Sequence, residues 1–225
     1  MKVSVIIPTL NEELTIERCV ASAWDAKCDE VIVADGGSSD QTIRIVQSLS
    51  CTLIETAPGR AAQQNAAARQ ASGEVLLFLH ADNWLAPSAC DQIREIFSRP
   101  ATVCGAFRQR IEADGFLFRA LEWGNALRAR WPGLPYGDQG IFVRAQAFFE
   151  VGGFPAVCLL EDLLLMKRLR KVGKPHLLAG PIYVSPRRWL EHGVMRQTLR
   201  NWSILSAHCI GVPPDRLARH YTRRT

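Results

Sequence analysis

The residues best suited to chemistry sit where the chain changes character abruptly. In Val75 to Asn83, V-L-L-F-L-H-A-D-N, an unbroken apolar run to Leu79 ends in His80, Asp82 and Asn83. Such a run is too short for a helix and too apolar for a solvated edge, so it reads as a buried parallel strand. In open α/β sheets ligands bind just beyond the carboxyl ends of such strands. A hard cation carrying a diphosphate asks little of a protein beyond one or two carboxylates, because phosphate oxygens and water complete its shell. Asp82 is therefore expected to hold a divalent metal, Mn2+ or Mg2+, against a nucleotide diphosphate. The competing reading makes Ala81-Asp82-Asn83 a turn and cap before a helix near Pro87.

Other candidates stand at similar places. Thr9 and Asn11 follow one short strand, and Asp35 ends another in D-G-G-S-S-D (35–40). Acidic strand tips would repel a bare diphosphate, so a cation there must offset the charge. Asp35 either contacts a ligand or closes an Asx-turn. Glu161 and Asp162 open a helical pattern, where the macrodipole favours carboxylates. Two glycines flank Asp138 and Gln139 in Y-G-D-Q-G (136–140), a place where a ligand approaches backbone closely. Arg187 and Arg188 precede Trp189 and are suited to neutralising a leaving diphosphate. Neither a G-x-G-x-x-G turn nor a G-x-x-x-x-G-K-[ST] loop follows the first strand, so a glycine-rich phosphate cradle is not expected there.

Positioning these residues requires alternating elements. Strands are expected over 3–7, 30–34, 51–56 and 75–79. Helices are expected from an Asn11 N-cap to about Trp24, from a cap at Ser39 or Asp40, and over 60–71. That alternation implies right-handed βαβ units and a mostly parallel sheet with helices on both faces. Further on, the pattern gives a helix over 87–97, a half-exposed antiparallel strand over 103–111 and a helix over 116–131. The last is read as docked, with snorkelling arginines; a greasy acceptor channel is the other option. A helix over 163–172, a short strand at 182–184 and a mixed apolar and basic helix over 197–210 complete the pattern. That final helix either caps the core or lies on a membrane surface, and residues 213–225 read as a mobile basic end.

The composition is that of a folded globular chain: 225 residues, 48% hydrophobic, with a net charge of +5. The basic residues gather between Arg187 and Arg224, which by charge alone fits an anionic ligand or an acidic membrane surface as well as nucleic acid; no nucleic-acid partner is expected. Seven cysteines without a C-x-x-C pair read as reduced core residues of a cytoplasmic protein. The start of the chain does not look like a signal peptide, and no apolar run approaches the ~20 residues that span a bilayer.

Taken together, V-S-V-I-I-P-T-L-N-E-E (3–13), V-I-V-A-D-G-G-S-S-D-Q-T (31–42), L-F-L-H-A-D-N (77–83) and G-G-F with E-D (152–162) resemble the signatures of family-two, GT-A-fold glycosyltransferases. The resemblance implies a single GT-A domain over 1–225. Its nucleotide-binding half is 1–83, its acceptor half is 84–192, and 193–225 form a basic C-terminal helix and tail. It implies a metal-dependent, inverting transfer of sugar from a nucleotide-diphosphate donor to a hydroxyl acceptor, small or lipid-linked, with peripheral contact at the inner face of the membrane as an option. Pro8, Thr9 and Glu12 would line the nucleoside pocket, Asp35 would hydrogen-bond the base, and Arg60 would touch the nucleotide. Asp82 matches the metal-binding aspartate of the D-x-D motif, whose first position is His80 here. Asp162 would be the base, with Asp138 in reserve. Arg187 and Arg188 would meet the diphosphate, and His192 would complete the metal shell. The R-R-W-x-x-H-G stretch (187–193) is similar to a small bacterial subgroup associated with radical-SAM/selenodomain proteins and arsenosugar synthesis. Two rivals stand beside this reading: a nucleotidyltransferase, and a non-catalytic nucleotide- or membrane-binding module.

Overall fold

A computed structural model of the protein describes residues 1–222, the side chains of 192, 209 and 219–222 excepted. The chain runs β1 (Val3–Thr9), α1 (Ile16–Asp25), β2 (Glu30–Asp35), α2 (Thr42–Gln47), β3 (Thr52–Glu55), α3 (Arg60–Gln70), β4 (Val75–Phe78), β5 (Asn83–Leu85) and α4 (Ala89–Phe97). It continues through β6 (Cys104–Ile111), α5 (Phe116–Arg130), a short 3-10 turn (Gly137–Gln139), β7 (Ile141–Arg144), α6 (Ala145–Glu150) and α7 (Glu161–Val172). It closes with β8 (His176–Val184), α8 (Arg187–His192), α9 (Val194–Cys209) and α10 (Pro214–Thr222).

The strands form one sheet in the order β3-β2-β1-β4-β7-β6-β8-β5. β1 to β4 are mutually parallel, β7 runs antiparallel between β4 and β6, and β8 is parallel to β6. This is the expected α/β layout, a mostly parallel sheet with short antiparallel strands, β7 and β5. Strand alternation divides the interior into two cores. Val3, Val5, Ile7, Leu77 and Leu79 face α1 and α4, against Ile16, Cys19, Ile93 and Phe97. Ile6, Ile32, Leu76 and Phe78 face the other way, onto Ala67, Phe148, Leu165 and Leu169 of α3, α6 and α7. With both faces covered, β4 is apolar throughout and β1 nearly so, its buried Ser4 being bonded to Glu30 and to the Gly73 N–H. A smaller cluster of Ile111, Phe118 and Val184, with Trp189 and Val194, ties α5 to α8 and α9.

Four expectations change. Asn11 is not a helix cap: its φ is 54°, its side-chain oxygen accepts the Ser39 N–H at 2.8 Å, and α1 begins only at Ile16. Asparagine suits a left-handed turn as well as a cap, and here the turn wins. Asn83 begins a three-residue strand antiparallel to β8, where a helix cap was the alternative expected. In α5 only Phe118 and Ala129 are buried, while Phe116, Trp123 and Leu127 face outward. Its arginines hold it from within, Arg128 stacking on Tyr136 and Arg119 donating to the Ile111 and Ala113 carbonyls. Finally, 214–222 form a helix: proline at the first position and Asp215 in the first turn are good helix starters, Leu217 is buried, and the Asp215 carboxylate accepts the Cys158 N–H at 3.2 Å. Residues 223–225 of the expected tail lie outside the described residues.

Candidate active site

The sheet sends most of its chemical residues to one rim. Thr9 and Asp35 are the last residues of β1 and β2, His80 and Asp82 follow the C-terminal end of β4, and Arg187 and Arg188 follow β8. Because β7 runs the other way, its N-terminal end brings the 137–139 turn to the same rim.

On one side lie the residues expected to meet a nucleoside. Pro8 and Thr9 are buried at the tip of β1. The Gln63 amide of α3 donates to the carbonyls of Thr9 (2.7 Å) and Ala34 (2.8 Å), locking the tips of β1 and β2 together. Asp35 is buried and closes its own turn, accepting the Gly37 and Ser38 N–H groups at 2.7 and 2.8 Å and the Ser38 hydroxyl on its other oxygen. Glu12 is paired with Arg187 at 3.0 Å, joining the loop after β1 to the start of α8 across 175 residues.

Beside them opens a cavity of about 180 Å³ whose walls include Arg60, His80, Asp82, Asp138, Asp162 and Arg188. The expected residues thus fall into two groups. Arg60, His80, Asp82, Asp162 and Arg188 share this cavity, whereas Pro8, Thr9, Glu12, Asp35 and Arg187 are not among its walls. The Arg188 guanidinium lies 3.9 Å from the Asp82 carboxylate. Arg60, at the start of α3, reaches Glu161 at 3.2 Å; Glu161 is almost wholly buried, and burial pushes its carboxyl above the usual range despite that guanidinium.

Asp162 stands in the first turn of α7, after Leu160 in the left-handed region (φ 64°). A left-handed leucine costs of order 1–3 kcal/mol and persists only where its surroundings impose it. One Asp162 oxygen accepts the Leu163 N–H (2.7 Å), the other the Gly137 N–H (2.6 Å). Gly137 is wedged between two chemical groups: a Cβ there would lie 2.7 Å from His80 Nε2 and 3.3 Å from an Asp162 oxygen. Only glycine admits that approach. Burial, helped by Arg60 and Arg188 and opposed by Asp82, pushes the His80 imidazole down to about 3. At neutral pH it is an uncharged ring. Asp138 is enclosed, and burial raises its carboxyl above the usual range although Arg128 opposes this.

The donors suit a cation shared with a ligand rather than one caged by protein. Among the described residues no group of three or more His, Cys, Asp or Glu side chains is spaced to hold a metal ion. Asp82 provides a carboxylate, and the buried side-chain oxygens Oδ1 of Asn83 and Oδ1 of Asp138 in the same walls have no hydrogen-bond partner. Oxygen donors of this kind match Mg2+ or Mn2+ completing its shell with phosphate and water. The His192 side chain lies outside the described residues.

Asn83, marked in the sequence at the end of its apolar run, donates to the Asp138 carbonyl at 3.0 Å and so pins the glycine-flanked turn. Other wall residues were not singled out in the sequence. Gln197, Asn201, Ile204 and Leu205 bring α9 over the cavity; the i, i+4 polar pair on a mixed helix was the available signal. The Arg60–Glu161 pair, 101 residues apart, had none.

A family model described as Glycosyl transferase family 2 matches residues 4–158. The uncharacterized glycosyltransferase YfnE of Bacillus subtilis is 34% identical over 122 residues, which cover 49% of this chain and 31% of that protein. Poly(ribitol-phosphate) beta-N-acetylglucosaminyltransferase TarS of Staphylococcus aureus is 38% identical over 98 residues, covering 38% and 17%. The chain therefore aligns with less than a third of the length of these relatives. Among solved structures, the mannosyltransferase PcManGT of Pyrobaculum calidifontis, in complex with GDP-Man and Mn2+, superposes with a TM-score of 0.67 at 22% identity over 92% of this chain and 61% of that one. S. aureus TarS 1-349 in complex with UDP-GlcNAc gives 0.64 at 22% identity, over 82% and 58%. At such identities these two likenesses establish the shared GT-A fold. The match over 4–158, on a sheet whose rim gathers His80, Asp82, Asp162 and Arg188, places this chain in glycosyl transferase family 2.

Proposed function

We propose that the chain is a metal-dependent, inverting glycosyltransferase that moves a sugar from a nucleotide-diphosphate donor to a hydroxyl acceptor. The observation that carries this reading is that one cavity is lined at once by Asp82, Asp162, Arg60 and Arg188. The whole chain acts as one GT-A domain, with the nucleotide half at 1–83, the acceptor half at 84–192 and a basic C-terminal segment at 193–225. The nucleoside rests against Pro8, Thr9, Glu12 and Asp35, with Arg60 and His80 toward the donor. Asp82 holds a divalent cation, Mn2+ or Mg2+, together with the donor's phosphates, and His192 is the proposed second ligand. Such a cation supplies charge neutralisation for the departing diphosphate.

Asp162 takes the proton of the acceptor hydroxyl while that oxygen forms its bond to the anomeric carbon. The bond from that carbon to the phosphate oxygen breaks on the opposite side. One displacement with one base inverts the anomeric centre. Arg188 beside Asp82 and Arg187 beside Glu12 meet the negative charge as it gathers on the leaving group, the term that matters most in such reactions. Within the family, the R-R-W-x-x-H-G stretch supports placement in the bacterial subgroup associated with radical-SAM/selenodomain proteins. The acceptor is a small or lipid-linked hydroxyl compound, encountered in the cytoplasm or at the inner face of the membrane.

A thermal-shift screen of nucleotide-sugars with and without Mn2+, followed by donor hydrolysis, tests the reading. Metal-dependent stabilisation by at least one nucleotide-sugar and slow donor hydrolysis are expected. Neither effect with any donor would refute the assignment.

A further inference from the structure

The outward face of α5 carries a pattern opposite to that of an ordinary surface helix. Phe116, Ala120, Trp123 and Leu127 recur at i, i+4, i+7 and i+11, which sets them in one stripe. That stripe faces away from the core: Phe116 is 83% exposed, Trp123 70%, Leu127 51% and Trp131, just past the helix, 80%. Folded chains rarely present so much contiguous apolar surface without a use for it. Beside the stripe runs a groove of about 310 Å³ walled by Arg108, Arg119, Arg130, Trp123, Leu127 and Leu177. Its one acid, Glu122, is consumed by Arg119 at 2.8 Å and Arg110 at 3.7 Å. Arg108 and Arg130 make no ion pair among the described residues.

We propose that this face of α5, with the arginine groove beside it, is a docking surface for an anionic phospholipid bilayer. Tryptophan and phenylalanine seat in the boundary between headgroups and acyl chains, and guanidinium groups alongside them meet lipid phosphates. A second copy of this chain is the poorer occupant, because a two-fold contact would bring a positive groove against its own image. α9 carries the same signature, with Met195, Leu199 and Trp202 exposed at i, i+4, i+7 and with Arg196 and Arg200 but no acid along its length. Both helices border the catalytic cavity: Arg128 of α5 stacks on Tyr136, Phe118 packs edge-on to Trp189, and Tyr136, Trp189 and Gln197 are cavity walls. A lipid-linked hydroxyl acceptor would thus be presented beside Asp162; that last step alone rests on the transferase reading.

The test is flotation of the full chain with phosphatidylcholine vesicles prepared with and without phosphatidylglycerol. Recruitment by the anionic vesicles is expected. Replacing both Trp123→Glu and Leu127→Glu should reduce it at least tenfold, and removing the charge of Arg108 or Arg130 should reduce it about fivefold each. Val172→Glu, an exposed apolar position on α7, should change nothing. All these positions are solvent-exposed, so thermal unfolding should confirm that each variant folds. Failure of anionic vesicles to recruit the chain, or undiminished recruitment of the Trp123/Leu127 variant, would overturn the proposal. So would a dimer in vesicle-free solution that the same variant dissociates, because it would assign the face to a second copy. Donor hydrolysis without vesicles reads the transferase assignment separately: its loss in the wild type refutes that assignment and leaves the flotation result standing.

Discussion

Gly137→Ala probes the site where packing and chemistry coincide. The added methyl would lie 2.7 Å from His80 Nε2, which is 0.7 Å inside the 3.4 Å at which ordinary contact begins. The His80 backbone is held, its carbonyl accepting the Asn83 N–H at 3.0 Å and the Cys19 thiol at 3.4 Å, so the clash is relieved only by turning the imidazole away from Gly137. Overpacking of this kind costs about 1–3 kcal/mol. In a chain of this size each kcal/mol moves the melting temperature by about 2–4 °C, so a fall of roughly 2–12 °C is expected from those two ranges. The same methyl crowds the 2.6 Å bond from the Gly137 N–H to Asp162. Misplacing a reacting group by an ångström costs about a hundredfold, so sugar transfer should fall between ten- and a hundredfold. Gly124→Ala is the control: a Cβ there meets nothing within 4 Å in the exposed middle of α5, and replacing a helical glycine should stabilise by about 0.5–1 kcal/mol. Differential scanning calorimetry on both variants, with a transfer assay, reads both signs. If Gly137→Ala melts and turns over like the wild type, the stacking of His80, Gly137 and Asp162 is refuted.

Asp162→Asn should lower transfer by about 10²–10⁴-fold while nucleotide-sugar still stabilises the protein against heat; retained transfer would remove Asp162 as the base. Asp82→Asn should abolish the part of that stabilisation that depends on Mn2+, and an unchanged metal response in thermal shift would place the cation elsewhere. Glu112 accepts from Arg18 at 2.8 and 3.0 Å and from the Trp84 indole at 2.8 Å. Burial works to raise its carboxyl, but these bonds prevail and hold it below the usual range. Folding thus favours the ionised form: the stability it adds is present above pH 4.5 and is lost as the pH falls through the lower folded-state value. Glu112→Gln should flatten the acid limb of a melting-temperature profile and leave its slope at pH 7 unaltered.

The first half of the chain was legible because β1, β2 and β4 are buried on both sides, so largely apolar runs mark them and their ends mark the rim. That reasoning found the tips at Thr9, Asp35 and His80 with Asp82. It failed where one residue type serves two geometries, as with Asn11, whose side chain caps helices and also tolerates the left-handed turn it takes here. α5 was read as a helix with the correct bounds to within a residue. Its orientation was not legible, because a stripe of Phe116, Trp123 and Leu127 shows a face without saying which side the sheet takes. The C-terminal helix was missed because 213–225 were read as a mobile basic end, although Pro214 at the first helical position is a helix starter. Pairs such as Arg60 with Glu161 and Glu12 with Arg187 are set by the folded path alone, and no local pattern announces them.

The reversed course of β7 has a consequence for what this framework tolerates. The chain leaves the sheet after Ile111 and re-enters at Ile141, both at the rim that carries Asp82 and Arg188. Everything between, α5 included, hangs from that edge like a handle, and lengthening such a handle costs only about 0.6 kcal/mol per doubling. The outer part of the handle, before the 137–139 turn that packs against His80 and Asp162, can be extended while β1 to β4 keep their register. Length added there is absorbed outside the sheet and leaves the strand tips that carry Thr9, Asp35 and Asp82 where they are.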